Sequence, residues 1–281
     1  MIIYYGELIG TIFYIFIGLS IVFLTVFEKE SIGKKMLIAI GWALAYFIPS
    51  IAFGEVSGPH LNPMITISLV AIRKFESRFM WGYMIMQIAG SVLGTLLFYV
   101  INRKKLKKIK QIQAIEVFCI QDEDKIKNFL NEFFASFFTV FSILSIAQVF
   151  GITVEIIYLY VIIIMFVVGI VFDYRTVSTN PIRYIFPQIL YKLVFCKKNQ
   201  TKKETNKFIF ILQIVLHIAV PIIAAVLAAL AYKYLPWDSA MLHKWGGFMF
   251  NQKQTKTIAA VIAVILVIAM ILPSLLAYLI K

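Results

Sequence analysis

Ser57-Gly58-Pro59-His60-Leu61-Asn62-Pro63-Met64 leads into a run of apolar and hydroxyl-bearing residues, Met64 to Ile72, that is too short to cross a bilayer. A second stretch has the same build: Asn180-Pro181-Ile182-Arg183-Tyr184-Ile185-Phe186-Pro187 opens a run that ends near Leu193. Asn is favoured as a helix N-cap and Pro at the first helical position, so each Asn-Pro reads as the start of a helix. Each helix would have about three turns, roughly 15–18 Å at 1.5 Å per residue. They are expected at 62–74 and 180–193. Backbone that stops part-way through a membrane survives only where it lines a cavity or is buried in protein. Two such breaks of similar build point to a central aqueous site.

The rest of the chain supplies the membrane context. Of 281 residues, 61% are hydrophobic and 15% charged, and the mean hydropathy is +0.89. A soluble domain is about half apolar and about a quarter charged, so a soluble enzyme and a disordered tail are both excluded. Continuous apolar segments at 4–27, 36–54, 79–102, 129–150, 152–172, 207–234 and 257–280 are each long enough for a spanning helix. A barrel would instead show short alternating segments of about ten residues. The expected fold is an all-α membrane bundle.

The segments also repeat. Glu7-x-x-x-Thr11 opens the first span and Glu132-x-x-x-Ser136 the fourth; Glu7 precedes Asn62 by 55 residues and Glu132 precedes Asn180 by 48. The order span, span, half-helix, span therefore recurs. The first repeat is read as 1–128 and the second as 129–234, with 235–281 an extension carrying a seventh apolar helix. Three spans per unit invert the second copy, which gives six transmembrane helices and two re-entrant half-helices entering from opposite faces. Glu7 and Glu132 are intramembrane carboxylates, and such residues are functional by default.

Charge and cysteine usage add little chemistry. The net charge is +13, and bases cluster between apolar segments, as in Arg103-Lys104-Lys105-Leu106-Lys107-Lys108. That placement suits a headgroup surface or a solvated loop and gives no nucleic-acid footprint. Cys119 and Cys196 have no metal-ligand or redox spacing, and no basic leader opens the chain. His217 and His243 have no ligand partners nearby in sequence. With no nucleophile triad, phosphate loop or metal cluster, neither an enzyme nor a cofactor is expected.

The two Asn-Pro stretches resemble the SGxHxNPA and NPARxxGP signatures of the aquaporin and glycerol-facilitator (major intrinsic protein) family. Gln87, Gly90 and Pro221 also sit where that family has similar residues, and the resemblance covers about residues 4–234. It implies a homotetramer in the cell membrane, each subunit a passive pore for water and small uncharged polyols such as glycerol. The pore signature would be Asn62, Pro63, Met64 with Asn180, Pro181, Ile182. Asn amides at opposed helix N-termini offer donors to a passing oxygen, and the helix dipoles raise a barrier to cations and protons.

Counting back as the family pattern does, the resemblance implies a selectivity ring of Trp42, Val168, Val177 and Arg183. Trp at the first position and no His at the second resemble a glycerol facilitator more than a water-only pore. Glu7 and Glu132 would accept hydrogen bonds from the re-entrant loops, and His60 would brace the first. Met64 and Ile182 stand where the family usually has Ala, Tyr184 where glycerol facilitators carry Asp, and His217-Ile218 where they carry Pro-Leu.

With the family's cytoplasmic N-terminus, the outer loops hold more Lys and Arg than the inner ones, against the positive-inside rule; the family order is preferred. A water-selective pore is the near alternative. A non-conducting scaffold, plugged by Met64 and Ile182, and an ion-coupled transporter using Glu7, Glu132 or Asp173 stay open at this point.

Overall fold

The computed structural model describes residues 2–120, 124–149, 154–195 and 215–234. The chain divides into two compact units, Met1–Leu230 and Ala231–Lys281, and of the second only 231–234 are described. The seventh apolar segment at 257–280, the loop before it with His243, and Cys196 lie outside the described residues.

Among the described residues every regular element is a helix. In chain order these are α1 (Ile2–Thr25), α2 (Ile32–Ser57), α3 (Pro63–Ala71), α4 (Ser77–Leu106), α5 (Gln111–Phe118), α6 (Lys125–Val149), α7 (Val154–Phe172) and α8 (Pro181–Phe195). A π-helical turn, Val215–Ala219, then runs into α9 (Val220–Tyr234). Four stretches are long and apolar enough to cross a bilayer: Ile2–Thr25, Ile32–Gly54, Ser77–Leu106 and Leu216–Tyr234. Helices α6 and α7 run 25 and 19 residues. These are bilayer-scale lengths at 1.5 Å per residue.

Burial is arranged inside out. Glu7, Thr11, Gln87, Ser91, Glu132 and Ser136 are fully buried, whereas Leu37, Ile40, Ile48 and Ile51 on α2 and Trp81, Ile85 and Ile88 on α4 are exposed. Lipid is the solvent that suits such a perimeter, and this is an integral, multi-pass membrane protein. Helix α1 packs against α2 and α4, α2 against α7, and α4 against both α3 and α8. The α1–α4 crossing is close because Gly90 and Gly94 carry no side chain. A Cβ on either would stand 2.7 Å from a carbonyl oxygen of α1, that of Leu8 or of Ile12.

The two short helices begin where the Asn-Pro pairs stand. Asn62 caps α3 in extended conformation, its side chain accepting from the Met64 N–H, with Pro63 in the first turn. Asn180 Oδ1 accepts likewise from the Ile182 N–H at 3.3 Å. Helix α8 continues to Phe195, past its expected end, and carries Pro187 within it. Gly58, in left-handed conformation, ends α2. One element departs from the sequence reading, since α5 occupies a stretch for which no helix is expected. The Gln113 side chain accepts from the Lys110 N–H at 2.9 Å, and Ala114, Val117 and Phe118 are buried. Phe118 packs on Phe98 and Phe195. Eight residues are too few to display that face as a periodic signal.

Candidate functional site

The site grows from two carboxylates. Glu7 sits on α1 with no access to solvent. Its oxygens accept from the backbone N–H of His60 at 2.7 Å and of Leu61 at 2.9 Å, and from Gln87 Nε2 at 2.6 Å. Glu132 on α6 repeats the arrangement. It accepts from the N–H of Ser178 at 2.6 Å and of Thr179 at 2.8 Å, and from the Ser178 hydroxyl at 2.9 Å. Where the first carboxylate has Gln87, the second has His217, whose Nδ1 lies 3.1 Å from Glu132 Oε2.

Each carboxylate thus holds the two residues just ahead of an Asn-Pro. Leu61 and Thr179 both have positive φ, 51° and 46°. Non-glycine residues enter that region at a cost of roughly 1–2 kcal/mol, so surrounding contacts must fix them there. The turn aims each carbonyl at the opposite loop. Asn62 Nδ2 donates to the Thr179 carbonyl at 2.8 Å, and Asn180 Nδ2 donates to the Leu61 carbonyl at 2.9 Å. The two signature loops are joined by this reciprocal pair. Ser91 adds a third tie, donating from α4 to the Ile182 carbonyl at 2.7 Å.

Arg183 lies in the first turn of α8 and is 8% exposed. It donates to the carbonyls of Val177 at 3.2 Å and Ser178 at 2.9 Å, and to that of Tyr174. Its guanidinium lies over the Trp42 ring at 4.1 Å and over the Tyr174 ring at 4.8 Å. Paired aromatic faces and carbonyls offset the desolvation of a buried cation. Trp42 fits because Gly18 on α1 leaves room: a Cβ there would stand 2.1 Å from the indole. The buried Trp42 indole N–H has no partner among the described residues.

Of the expected ring, Trp42, Val177 and Arg183 are together, Val177 through its carbonyl. Val168 is buried, and the side of α7 that faces Tyr174 is instead marked by its neighbour Gly169, where a Cβ would stand 2.5 Å from that ring. Met64 and Ile182 are buried beside the junction. His60 places its ring against Phe75 and Tyr83, with Nδ1 3.0 Å from the Thr66 hydroxyl.

Three aromatic residues of the site carry no motif that marks them in the sequence. Tyr174 donates its hydroxyl to the Met165 carbonyl at 2.6 Å and supports Arg183 from the second side. Tyr46 donates to the His60 carbonyl at 3.3 Å. Tyr14 stands edge-on to Trp42, 5.3 Å between ring centres, and to Tyr46 at 6.1 Å. The one available signal is its spacing, two turns after Glu7 and one after Thr11 on one face of α1. The departures at Tyr184 and His217 also resolve into one contact. Their ring centres lie 4.5 Å apart, and His217 reaches Glu132 from there.

At the outer edge of the loop before α8, Arg175 bridges Asp173 and Glu30, at 2.5 Å each. The hydrogen bond from Arg175 holds the Glu30 carboxyl below its usual range. Burial alone would raise Asp173, but Arg175 and Lys35 outweigh it and hold it low.

Two short helices meeting tip to tip through reciprocal Asn-to-carbonyl bonds, inside a helical membrane bundle, define a class of multi-pass membrane proteins. The sequence pattern of the major intrinsic protein family matches residues 3–232, and the chain belongs to that family. It is 32% identical to the probable glycerol uptake facilitator protein of Thermotoga maritima, over 42% of this chain and 52% of that one. It is 29% identical to the glycerol facilitator-aquaporin gla of Lactococcus lactis, over 52% of this chain and 55% of that one. The matches thus span about half the length of these relatives. The X-ray structure of the aquaglyceroporin from Plasmodium falciparum shares the fold, with a TM-score of 0.67 at 22% identity, covering 83% of this chain and 95% of that one.

Proposed function

We propose that this protein is a passive transmembrane channel for water and small uncharged solutes, glycerol foremost, working as a homotetramer in the cell membrane. The observation that carries the reading is the pairing of Arg183 with Trp42 at 4.1 Å, next to two signature loops tied through Asn62 and Asn180. A donor edge beside an apolar face suits a molecule with hydroxyls on one side and carbons on the other. Hydroxyl oxygens accept from the guanidinium and the asparagine amides while the carbon chain slides on the indole. No covalent step is needed, so no enzyme chemistry is assigned.

On this reading the signature residues are Asn62, Pro63 and Met64 with Asn180, Pro181 and Ile182, and the ring is Trp42, Val168, Val177 and Arg183. Glu7, Glu132 and His60 brace the loops. The repeats are 1–128 and 129–234, followed by an extension from 235; the matched roles of Glu7 and Glu132 support the division. Six spans with two half-helices complete the layout. The names of the two bacterial relatives support glycerol as permeant.

Stopped-flow light scattering on proteoliposomes tests it. Water and glycerol should both enter faster than through bare lipid. An Arg183→Ala variant should change their ratio, and Asn180→Ala should slow both by at least severalfold, since each removes a donor that buried oxygens need. Water flow without glycerol entry would make the pore water-selective. Traces matching empty vesicles, from folded and inserted protein, would overturn the channel and leave the scaffold.

A further inference from the structure

We propose that the basic turn between α4 and α5, with the apolar face of α4 that leads up to it, binds an anionic phospholipid. The phosphate sits among Arg103, Lys104, Lys105, Lys107, Lys108 and Lys110, and the acyl chains lie along Leu97, Val100 and Ile101. The inference goes beyond the channel reading and does not depend on it.

Charge singles the turn out. Six bases stand within eight residues, and neither Asp nor Glu occurs from Ser77 to Ile115. All six are exposed, and among the described residues none of them forms a salt bridge. The nearest acid along the chain, Glu116, is taken by Lys34 at 2.6 Å. Asp124 accepts from the Ile126 and Lys127 N–H groups at the start of α6. Arg103, Lys104 and Lys105 lie in the last turn of α4, where the helix dipole favours cations. That accounts for three of the bases; Lys107, Lys108 and Lys110 lie past the helix end.

Position along α4 puts them at a membrane boundary. Trp81, 65% exposed, stands near the other end of the helix. Arg103 follows it by 22 residues, about 33 Å at 1.5 Å per residue, against roughly 30 Å for a hydrocarbon core. The face between is apolar and exposed at Leu93, Leu97, Val100 and Ile101. Spacings of three and four residues carry that face onto the bases, from Leu97 through Val100 to Lys104 and from Leu97 through Ile101 to Lys105. A lipid fits both halves of this surface. A free anion, an acidic peptide or a nucleic acid would leave the apolar half uncovered.

The turn is held in place at both ends. Leu106 is 1% exposed, and α5 anchors the chain beyond it. Gln113 Nε2 donates to the Val26 carbonyl at 3.2 Å and Gln111 Nε2 to the Tyr191 hydroxyl at 3.4 Å, while Phe118 packs on Phe98 and Phe195. Ile112 is 65% exposed, two residues after Lys110, and offers an apolar side chain to lipid. A backbone fixed in this way is already ordered when a headgroup arrives, so binding costs less. The clustered bases repel one another, and an anion among them relieves that repulsion as well as attracting each.

Spin-labelled phosphatidylglycerol and phosphatidylcholine, each introduced into bilayers holding the full chain, test the site by electron paramagnetic resonance. The readout is the ratio of their association constants at the protein surface. The parent should prefer phosphatidylglycerol roughly three- to tenfold in low salt, since each base near an anionic headgroup adds severalfold in affinity. Raising NaCl to about 0.5 M should bring the ratio towards one. Lys104→Gln/Lys105→Gln/Lys108→Gln should cut it at least about twofold. Arg78→Gln, at the other end of α4 and paired with Glu76, should leave it unchanged. A parent ratio near one, a preference that the triple variant keeps, or an equal fall with Arg78→Gln would overturn the site. Loss of the preference to inorganic phosphate at constant ionic strength would also overturn it, by making the turn a site for free anions. Should the triple variant fail to fold, Lys107→Gln/Lys110→Gln, both beyond the helix, decides by the same criterion. Solute entry plays no part in the readout, so failure here leaves the channel reading standing.

Discussion

Glu7 and Glu132 show why a carboxylate rather than its amide stands at each site. Glu7 accepts three hydrogen bonds, two from adjacent backbone N–H groups, and Glu132 accepts two from backbone N–H groups and two from the Ser136 and Ser178 hydroxyls. A glutamine has one acceptor oxygen, and its NH2 would face donors it cannot satisfy. Glu7→Gln and Glu132→Gln should each destabilise the folded protein by at least about 1–3 kcal/mol, the cost of one unmet buried donor. Thermal melts of detergent-solubilised variants would measure this, and unchanged melts would show that the loops hold their left-handed turns at Leu61 and Thr179 without the carboxylates. The double tie is needed because neither residue favours that backbone region by itself.

At the scale of elements, the crossing of α1 and α4 fixes the distance between Glu7 and Gln87, which meet at 2.6 Å. Gly90 sets that crossing. Its hypothetical Cβ would be 2.7 Å from the Leu8 carbonyl oxygen and 2.7 Å from Thr11 Cβ. The first is backbone and cannot rotate aside. Gly90→Leu should force the helices apart and destabilise the bundle by about 1–3 kcal/mol or more, and it should lengthen the Gln87–Glu7 contact. A melt and a size-exclusion profile would register the change; a variant as stable as the parent would place the helices under less constraint than their contacts indicate. Short helices behave differently. Helices α3 and α8 depend on their Asn caps and on the opposite loop, since nine and fifteen residues are marginal alone.

At the largest scale, four ion pairs tie loops and helix ends together. Lys34 pairs with Glu116 of α5 at 2.6 Å, Lys35 with Asp173 at 3.3 Å, and Arg175 with both Asp173 and Glu30. These pairs join the α1–α2 loop and the start of α2 to α5 and to the loop before α8. Glu30 and Asp173 are held below their usual values of 4.5 and 3.8. A depressed carboxylate contributes stability that is fully present above its unfolded value and is lost as pH falls through the folded one. Melts should therefore be flat in this respect from pH 7 to about 5 and decline below about 4. Arg175→Met should lower stability at pH 7 and flatten part of that acid decline. An equal decline in parent and variant would assign acid sensitivity to other groups.

The sequence by itself determined the solvent, the helical class and the position of both half-helices, because those rest on composition, on run length and on the local preferences of Asn and Pro. The family resemblance also implied that Glu7 and Glu132 hold the two loops, and both do. Tertiary structure alone decided what fills the centre. Tyr14, Tyr46 and Tyr174 look like ordinary helix or loop residues in one dimension, and only folding brings them to Trp42, the His60 carbonyl and Arg183. Tyr184 and His217, separate departures from the family pattern, became one ring contact beside Glu132 for the same reason. Helix α5 was hidden because its few buried residues find partners in Phe98 and Phe195, both distant in sequence. Local preference acts over a few residues, whereas a lumen is made by side chains from four or more elements. Their meeting is a property of packing.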